Sequence, residues 1–181
     1  MSGESAAAVL VPAGGSEAWF AVWTMSQCER KVEEALTRKR FEVFLPSARV
    51  PSRRRDRRVI LERPLFPGYL FLRFAPCREG YICVASTEGV VRILGERWDA
   101  LHAVPEGQVE AVRRMVTDVE GARAVPWIRI GNRVRMVAGP LAGLEGLVQA
   151  WHKGRAMFIV TVDLLQRSVG VEVGAGQLER I

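Results

Sequence analysis

Gly131-Asn132-Arg133-Val134-Arg135-Met136-Val137-Ala138-Gly139-Pro140-Leu141-Ala142-Gly143-Leu144-Glu145-Gly146 decides how the last third of the chain is read. Val134 and Met136 alternate with Arg133 and Arg135, the period-two pattern of a half-buried strand. Gly139-Pro140 ends that strand, and Gly143 and Gly146 permit tight turns before the next one. Past residue 128 only short strands are predicted, at 132–137, 146–151, 156–163, 168–173 and 177–181. Five short strands separated by glycine turns imply a small barrel, a closure that removes exposed sheet edges.

Upstream the periods change. Residues 18–24 are apolar on both faces and predict a central strand. Ser26 and Glu29 have the spacing of a capping box opening a helix to about Arg40, with Val32, Ala35 and Leu36 as its apolar stripe. Residues 41–50 form a second strand, interrupted by Pro46 and Pro51. Further strands fall at 59–61, 68–74 and 90–94, with a short helix at 79–86. A longer helix over 105–119 aligns Val109, Val112, Met115 and Val116. This order predicts an α+β N-terminal domain, an antiparallel sheet with flanking helices, followed by the five-stranded barrel. The boundaries read as a flexible tail over 1–17, a first domain over 18–118, a linker over 119–128 and the barrel over 129–181.

Composition narrows the function. The net charge is +6, and both expected folded stretches carry more Lys and Arg than Asp and Glu. That balance points to a polyanion, most simply nucleic acid. No run of about 18 apolar residues exists to span a membrane. The small, Gly/Ala-rich start lacks a basic signal-peptide region, which points to the cytoplasm. Cys28, Cys77 and Cys83 have no paired spacing, so neither a disulfide framework nor a metal site is expected. No nucleophile or phosphate-loop motif is present, so no catalytic residue and no cofactor is assigned.

Two clusters stand out. Trp19 and Trp23 alternate with Phe20 and Val22, so the tryptophans lie on the face away from Phe20. Tyr69 and Phe71 join that face from a neighbouring strand. It reads either as core or as an aromatic docking groove. Arg53, Arg54, Arg55, Arg57 and Arg58 form the densest charge run, between two strands. It reads either as a solvated loop or as a sequence-independent contact with phosphates.

The barrel stretch resembles a KOW motif. Together with Pro64-Leu65-Phe66-Pro67-Gly68-Tyr69-Leu70-Phe71 and the opening Trp19-Phe20-Ala21-Val22-Trp23, it makes the chain similar, from about Ala18 to Ile181, to the NusG family of transcription elongation factors. The resemblance implies an SH3-like KOW barrel and a monomer that binds RNA polymerase through its β′ clamp helices. The matching groove positions are Trp23, Phe66, Pro67, Tyr69 and Phe71, with Tyr81 and Ile82 on a second polymerase contact. It implies that Lys31 and Thr87 lie where some relatives read the displaced DNA strand, although Glu88 is acidic there. It also implies that Leu141, Leu144 and Leu165 meet a small-subunit ribosomal protein or the termination factor Rho. The arginine-rich run before Pro64 and the Gly139–Gly146 loop resemble specialised paralogs, the UpxY-like and RfaH-like antiterminators, more than the general factor. A KOW-type RNA-binding or ribosome-associated protein is the alternative from another class.

Overall fold

The computed structural model describes residues 9–12, 15–51, 60–119, 121–125, 131–152 and 155–181. Two compact units emerge. One comprises Met1–Leu45, Phe66–Val109 and Asp163–Leu165; the other comprises Pro46–Leu65, Glu110–Val162 and Gln166–Ile181.

In chain order the first unit contains β1 (Val9–Pro12), β2 (Ala18–Thr24), α1 (Glu29–Arg38) and β3 (Glu42–Phe44). The hairpin β4 (Ser47–Pro51) and β5 (Ile60–Pro64) belongs to the second unit. The first resumes with β6 (Tyr69–Phe74), α2 (Arg78–Ala85), β7 (Val90–Ile93), β8 (Gly95–Arg97), β9 (Ala100–Val104) and the start of α3 (Glu106–Thr117). Its seven-stranded sheet runs β1-β9-β2-β6-β3, with β7 on β2 and β8 on β9, and every pairing is antiparallel.

Strand β2 is central because its sequence is apolar at both parities, so burial on both faces costs nothing in polar desolvation. Phe20 and Val22 are fully buried in one core with Leu70, Leu72 and Phe74 of β6, Val32 and Leu36 of α1, and Val84 of α2. Phe20 and Phe41 both meet Phe74 edge-on, at ring-centroid distances of 5.2 and 6.1 Å, an arrangement favoured by the ring quadrupoles. The opposite parity carries Trp19, Ala21 and Trp23, which pair in register with Arg73, Phe71 and Tyr69.

Arg73 is the cation of that face. It stands 3.7 Å from a carboxylate of Glu17, of Glu42 and of Glu106. These lie just before β2, on β3 and at the start of α3. At one-third exposure, each such pair alone is worth little; together they draw the three segments toward one cation.

The second unit's main sheet contains β10 (Arg123–Val125), β11 (Asn132–Met136), β12 (Glu145–His152), β13 (Arg155–Val162), β14 (Arg167–Gly174) and β15 (Leu178–Arg180). Its order is β10-β14-β13-β12-β11-β15. The last five are the strands expected from the glycine-punctuated pattern. Val134, Met136, Val148, Phe158, Val160, Val162, Val169, Val171 and Val173 are buried and share one face by register. A small sheet buries a single apolar face this completely by wrapping around it as a barrel.

Three sequence readings need correction. The stretch read as a tail contributes β1, whose Val9-Leu10-Val11 backbone pairs with β9; β-branched residues beside an open edge favour an added strand. The stretch read as linker contributes β10, paired with β14, and Arg123 adds an ion pair to Glu172 at 3.3 Å. The capping box does not form: Cys28 is the N-cap and makes no side-chain cap. Gln27 sits at φ 63°, which tightens the turn and places Glu29 first in the helix rather than third.

Gly146 is the tightest point of the second unit. A Cβ there would stand 2.5 Å from the Ile159 carbonyl oxygen and 2.8 Å from the Phe158 ring. Gly146→Ala is therefore expected to destabilise this sheet by about 1–3 kcal/mol, read as a lower urea midpoint by circular dichroism at unchanged slope.

Candidate functional site

The turn Phe66-Pro67-Gly68-Tyr69 delivers β6 to the sheet. The Tyr69 N–H donates to the Phe66 carbonyl at 2.9 Å, and Gly68 has φ +83°. Proline at the second position and a positive-φ glycine at the third are the signature of a type II turn. The turn is anchored on both sides of Gly68. Its carbonyl accepts the Thr24 N–H at 2.9 Å, and its N–H donates to Glu29 Oε1 at 2.7 Å.

Six aromatics and a proline converge here with graded exposure. Phe66 and Phe71 are fully buried and meet edge-on at 5.7 Å. Phe44 stacks on Phe71 at 6.2 Å, and Trp19 on the same face is also buried. Trp23 is 39% exposed, Tyr69 is half-buried and Pro67 is exposed. The face is thus a groove only at the Trp23–Tyr69 end; Phe66 and Phe71 form its floor. Arg92, opposite Trp23 in register, sets its guanidinium 5.6 Å from the indole centroid, a cation–π contact that orients the ring.

On α2, Tyr81 is half-buried and packs against the core, whereas Ile82 is 53% exposed. Thr87 is buried. Its hydroxyl donates to the Cys83 carbonyl at 2.9 Å and accepts from Lys39 Nζ at 2.8 Å. Lys39 Nζ also donates to the Cys83 carbonyl at 2.8 Å. Thr87 and Lys39 together finish the C-terminus of α2, where a cation and added donors satisfy the last carbonyls. Lys31 and Glu88, by contrast, lie on the surface, 2.6 Å apart. Their hydrogen bond, and then their mutual charge, hold the Glu88 carboxyl below its usual range and the Lys31 ammonium above its own. The acidic residue that stood out in the sequence is the partner of the neighbouring lysine.

In the second unit Leu141 is buried and Leu144 half-buried; Leu165, in the 163–165 segment of the first unit, is half-buried. The two carbonyls flanking Leu141, those of Pro140 and Ala142, accept from Arg114 of α3 at 2.5 and 3.1 Å. Leu141 thus folds inward. The run Arg53, Arg54, Arg55, Arg57 and Arg58 lies outside the described residues. Sequence reasoning missed Glu29, Arg92 and Lys39 as parts of these sites. Register opposite Trp23 was the one signal that pointed to Arg92.

Together these features describe an α/β unit presenting an aromatic turn and, in the same chain, a small β-barrel. A family model described as transcription termination factor nusG matches residues 17–113, and the chain belongs to that family of transcription factors, not to an enzyme family. It is 26% identical over 176 residues to the transcription termination/antitermination protein NusG of Neisseria meningitidis, covering 92% of this chain and 99% of that protein. The NusG of Staphylococcus carnosus is 26% identical over 178 residues, covering 92% and 97%. In fold it resembles a structure titled "Domain interaction in Thermotoga maritima NusG", with a TM-score of 0.59, 21% identity and coverage of 92% and 98%. Among the described residues no helix is long and apolar enough to cross a membrane.

The Lys31–Glu88 pair carries a pH signature. Because the folded-state carboxyl is held down, its contribution is present above the ordinary glutamate range and is lost as pH falls through the lowered value. An NMR titration should find Glu88 ionising below the ordinary glutamate range, and Lys31→Met should raise it.

Proposed function

We propose that this protein is an elongation and antitermination factor that binds the clamp helices of RNA polymerase through Trp23, Pro67 and Tyr69, above the Phe66–Phe71 floor. The observation that carries the reading is the family match over residues 17–113, which spans every one of these residues. The physics agrees: a half-exposed tryptophan and tyrosine beside a rigid turn form the kind of anchor that dominates protein interfaces. The factor bridges the clamp and favours its closed state because it binds that state better. A ribosome-associated RNA-binding barrel would leave this unit without a role.

In this reading residues 18–118 act on polymerase, and the KOW barrel over 129–181 recruits a second protein through Leu144 and Leu165. That protein is a small-subunit ribosomal protein or Rho. The arginines at 53–58 add phosphate contacts on DNA or nascent RNA. The Gly139–Gly146 loop and the basic run favour a specialised paralog over the general factor. The Lys31–Glu88 pairing argues against that point as a DNA reader, since the lysine's charge is already answered.

Trp23→Ala should keep the far-ultraviolet dichroism of the parent and lose at least about tenfold in affinity for core RNA polymerase, in keeping with truncation of an aromatic anchor at about 2 kcal/mol. A folded variant that binds normally removes the groove assignment. Replacing Arg53, Arg54, Arg55, Arg57 and Arg58 with Ser should flatten the dependence of log affinity on log salt for nucleic-acid-loaded elongation complexes by up to about five contacts. Binding to nucleic-acid-free polymerase should stay as it was. An unchanged slope with loaded complexes would make the run a solvated loop.

A further inference from the structure

Glu29 is buried, at 7% exposure. Its Oε1 accepts from the middle of the aromatic turn, the Gly68 N–H at 2.7 Å. That N–H belongs to the Pro67–Gly68 peptide, the one peptide whose flip distinguishes a type II turn from a type I turn. In the flipped form Gly68 would leave positive φ, its N–H would point away from Glu29, and a buried carboxylate would lose a charge-assisted hydrogen bond. The carboxylate is itself well placed: Glu29 is the first residue of α1, where unsatisfied backbone N–H groups and the helix dipole favour a negative charge. The second anchor, Thr24 N–H to the Gly68 carbonyl at 2.9 Å, ties the same residue to the end of β2 directly beyond Trp23. Helix, turn and strand end are thereby locked to one another around one glycine, whose α-carbon side faces the indole: a Cβ there would stand 3.8 Å from two atoms of the Trp23 ring.

We propose that Glu29 is a positioning residue that fixes the orientation of the Pro67–Gly68 peptide, and through it the presentation of Pro67, Tyr69 and Trp23 to the partner. This rests on the polymerase-binding reading above and adds to it a residue that never touches polymerase. The role belongs to an acceptor oxygen rather than to charge or bulk, which separates it from simple packing.

The test uses the full chain with Glu29→Met, which keeps length and helix propensity without an acceptor, and Glu29→Gln, which keeps an amide oxygen. Amide hydrogen exchange by NMR reads the turn, and affinity for core RNA polymerase reads its use. In Glu29→Met, Gly68 exchange should speed up about tenfold or more, while Leu70 and Leu72 stay protected and polymerase affinity falls about tenfold. In Glu29→Gln both readouts should return to within about threefold of the parent. A folded Glu29→Met with parental Gly68 exchange and affinity overturns the inference. So does faster exchange spread evenly over the whole sheet, the mark of a merely structural role. Should Glu29→Met not fold, the parent and Glu29→Gln still decide it: an unprotected Gly68 amide in the parent, or lost binding in a folded Glu29→Gln, overturns it. If the parent shows a protected Gly68 but no affinity for polymerase, the functional reading itself fails and the inference with it.

Discussion

The antiparallel register between β2 and β6 is the constraint on which the rest depends. It sets Trp23 against Tyr69 and Ala21 against Phe71 on one face. On the other it sets Phe20 against Leu72 and Val22 against Leu70. A slip of one residue would send Phe20 and Val22 to the aromatic face and Trp23 into the helix-covered core. The type II turn prevents that slip, because β6 begins at Tyr69 and the turn is tied to Thr24 at the end of β2. One short segment therefore sets both the strand register and the exposure of the aromatics. The α/β core and the aromatic face are two consequences of the same alignment.

Much of this was legible in the sequence. The two-face split of β2 follows from alternation alone, and the barrel strands follow from Val134 and Met136 alternating with arginines between glycine turns. The site was legible as a set of aromatic residue types but not as a surface. Period-two reasoning places Phe71 and Trp23 on one face without saying that Phe71 is floor and Trp23 is rim. That gradient depends on the Phe44 and Phe66 rings, brought in from other segments. Leu141 illustrates the same limit. A leucine on a Gly-Pro loop looks exposed until the turn folds it inward.

Two of the polar misreadings have a common physical cause: the group's partner lies far away in sequence. Glu29 had the spacing to cap its own helix, but the turn with a positive φ at Gln27 moves the N-cap two residues on, to Cys28, and the carboxylate meets a distant glycine. Thr87, which the resemblance placed at a DNA-reading position, completes the end of α2 with Lys39, 48 residues away in sequence. Local hydrogen-bond grammar proposes such partners, and tertiary geometry chooses among them.

Arg73 divides mutational tolerance unequally. One cation is shared by three carboxylates drawn from three separate stretches of chain, so any single acid is redundant: its loss leaves two attractions intact. The arginine has no understudy. Replacing it by a neutral residue turns a point of mutual attraction into three negative charges facing one another, at the seam where β3, the entry to β2 and the start of α3 come together. Drift among homologous chains can therefore wear away the glutamates one at a time, while the guanidinium must be kept or exchanged in company with its acids.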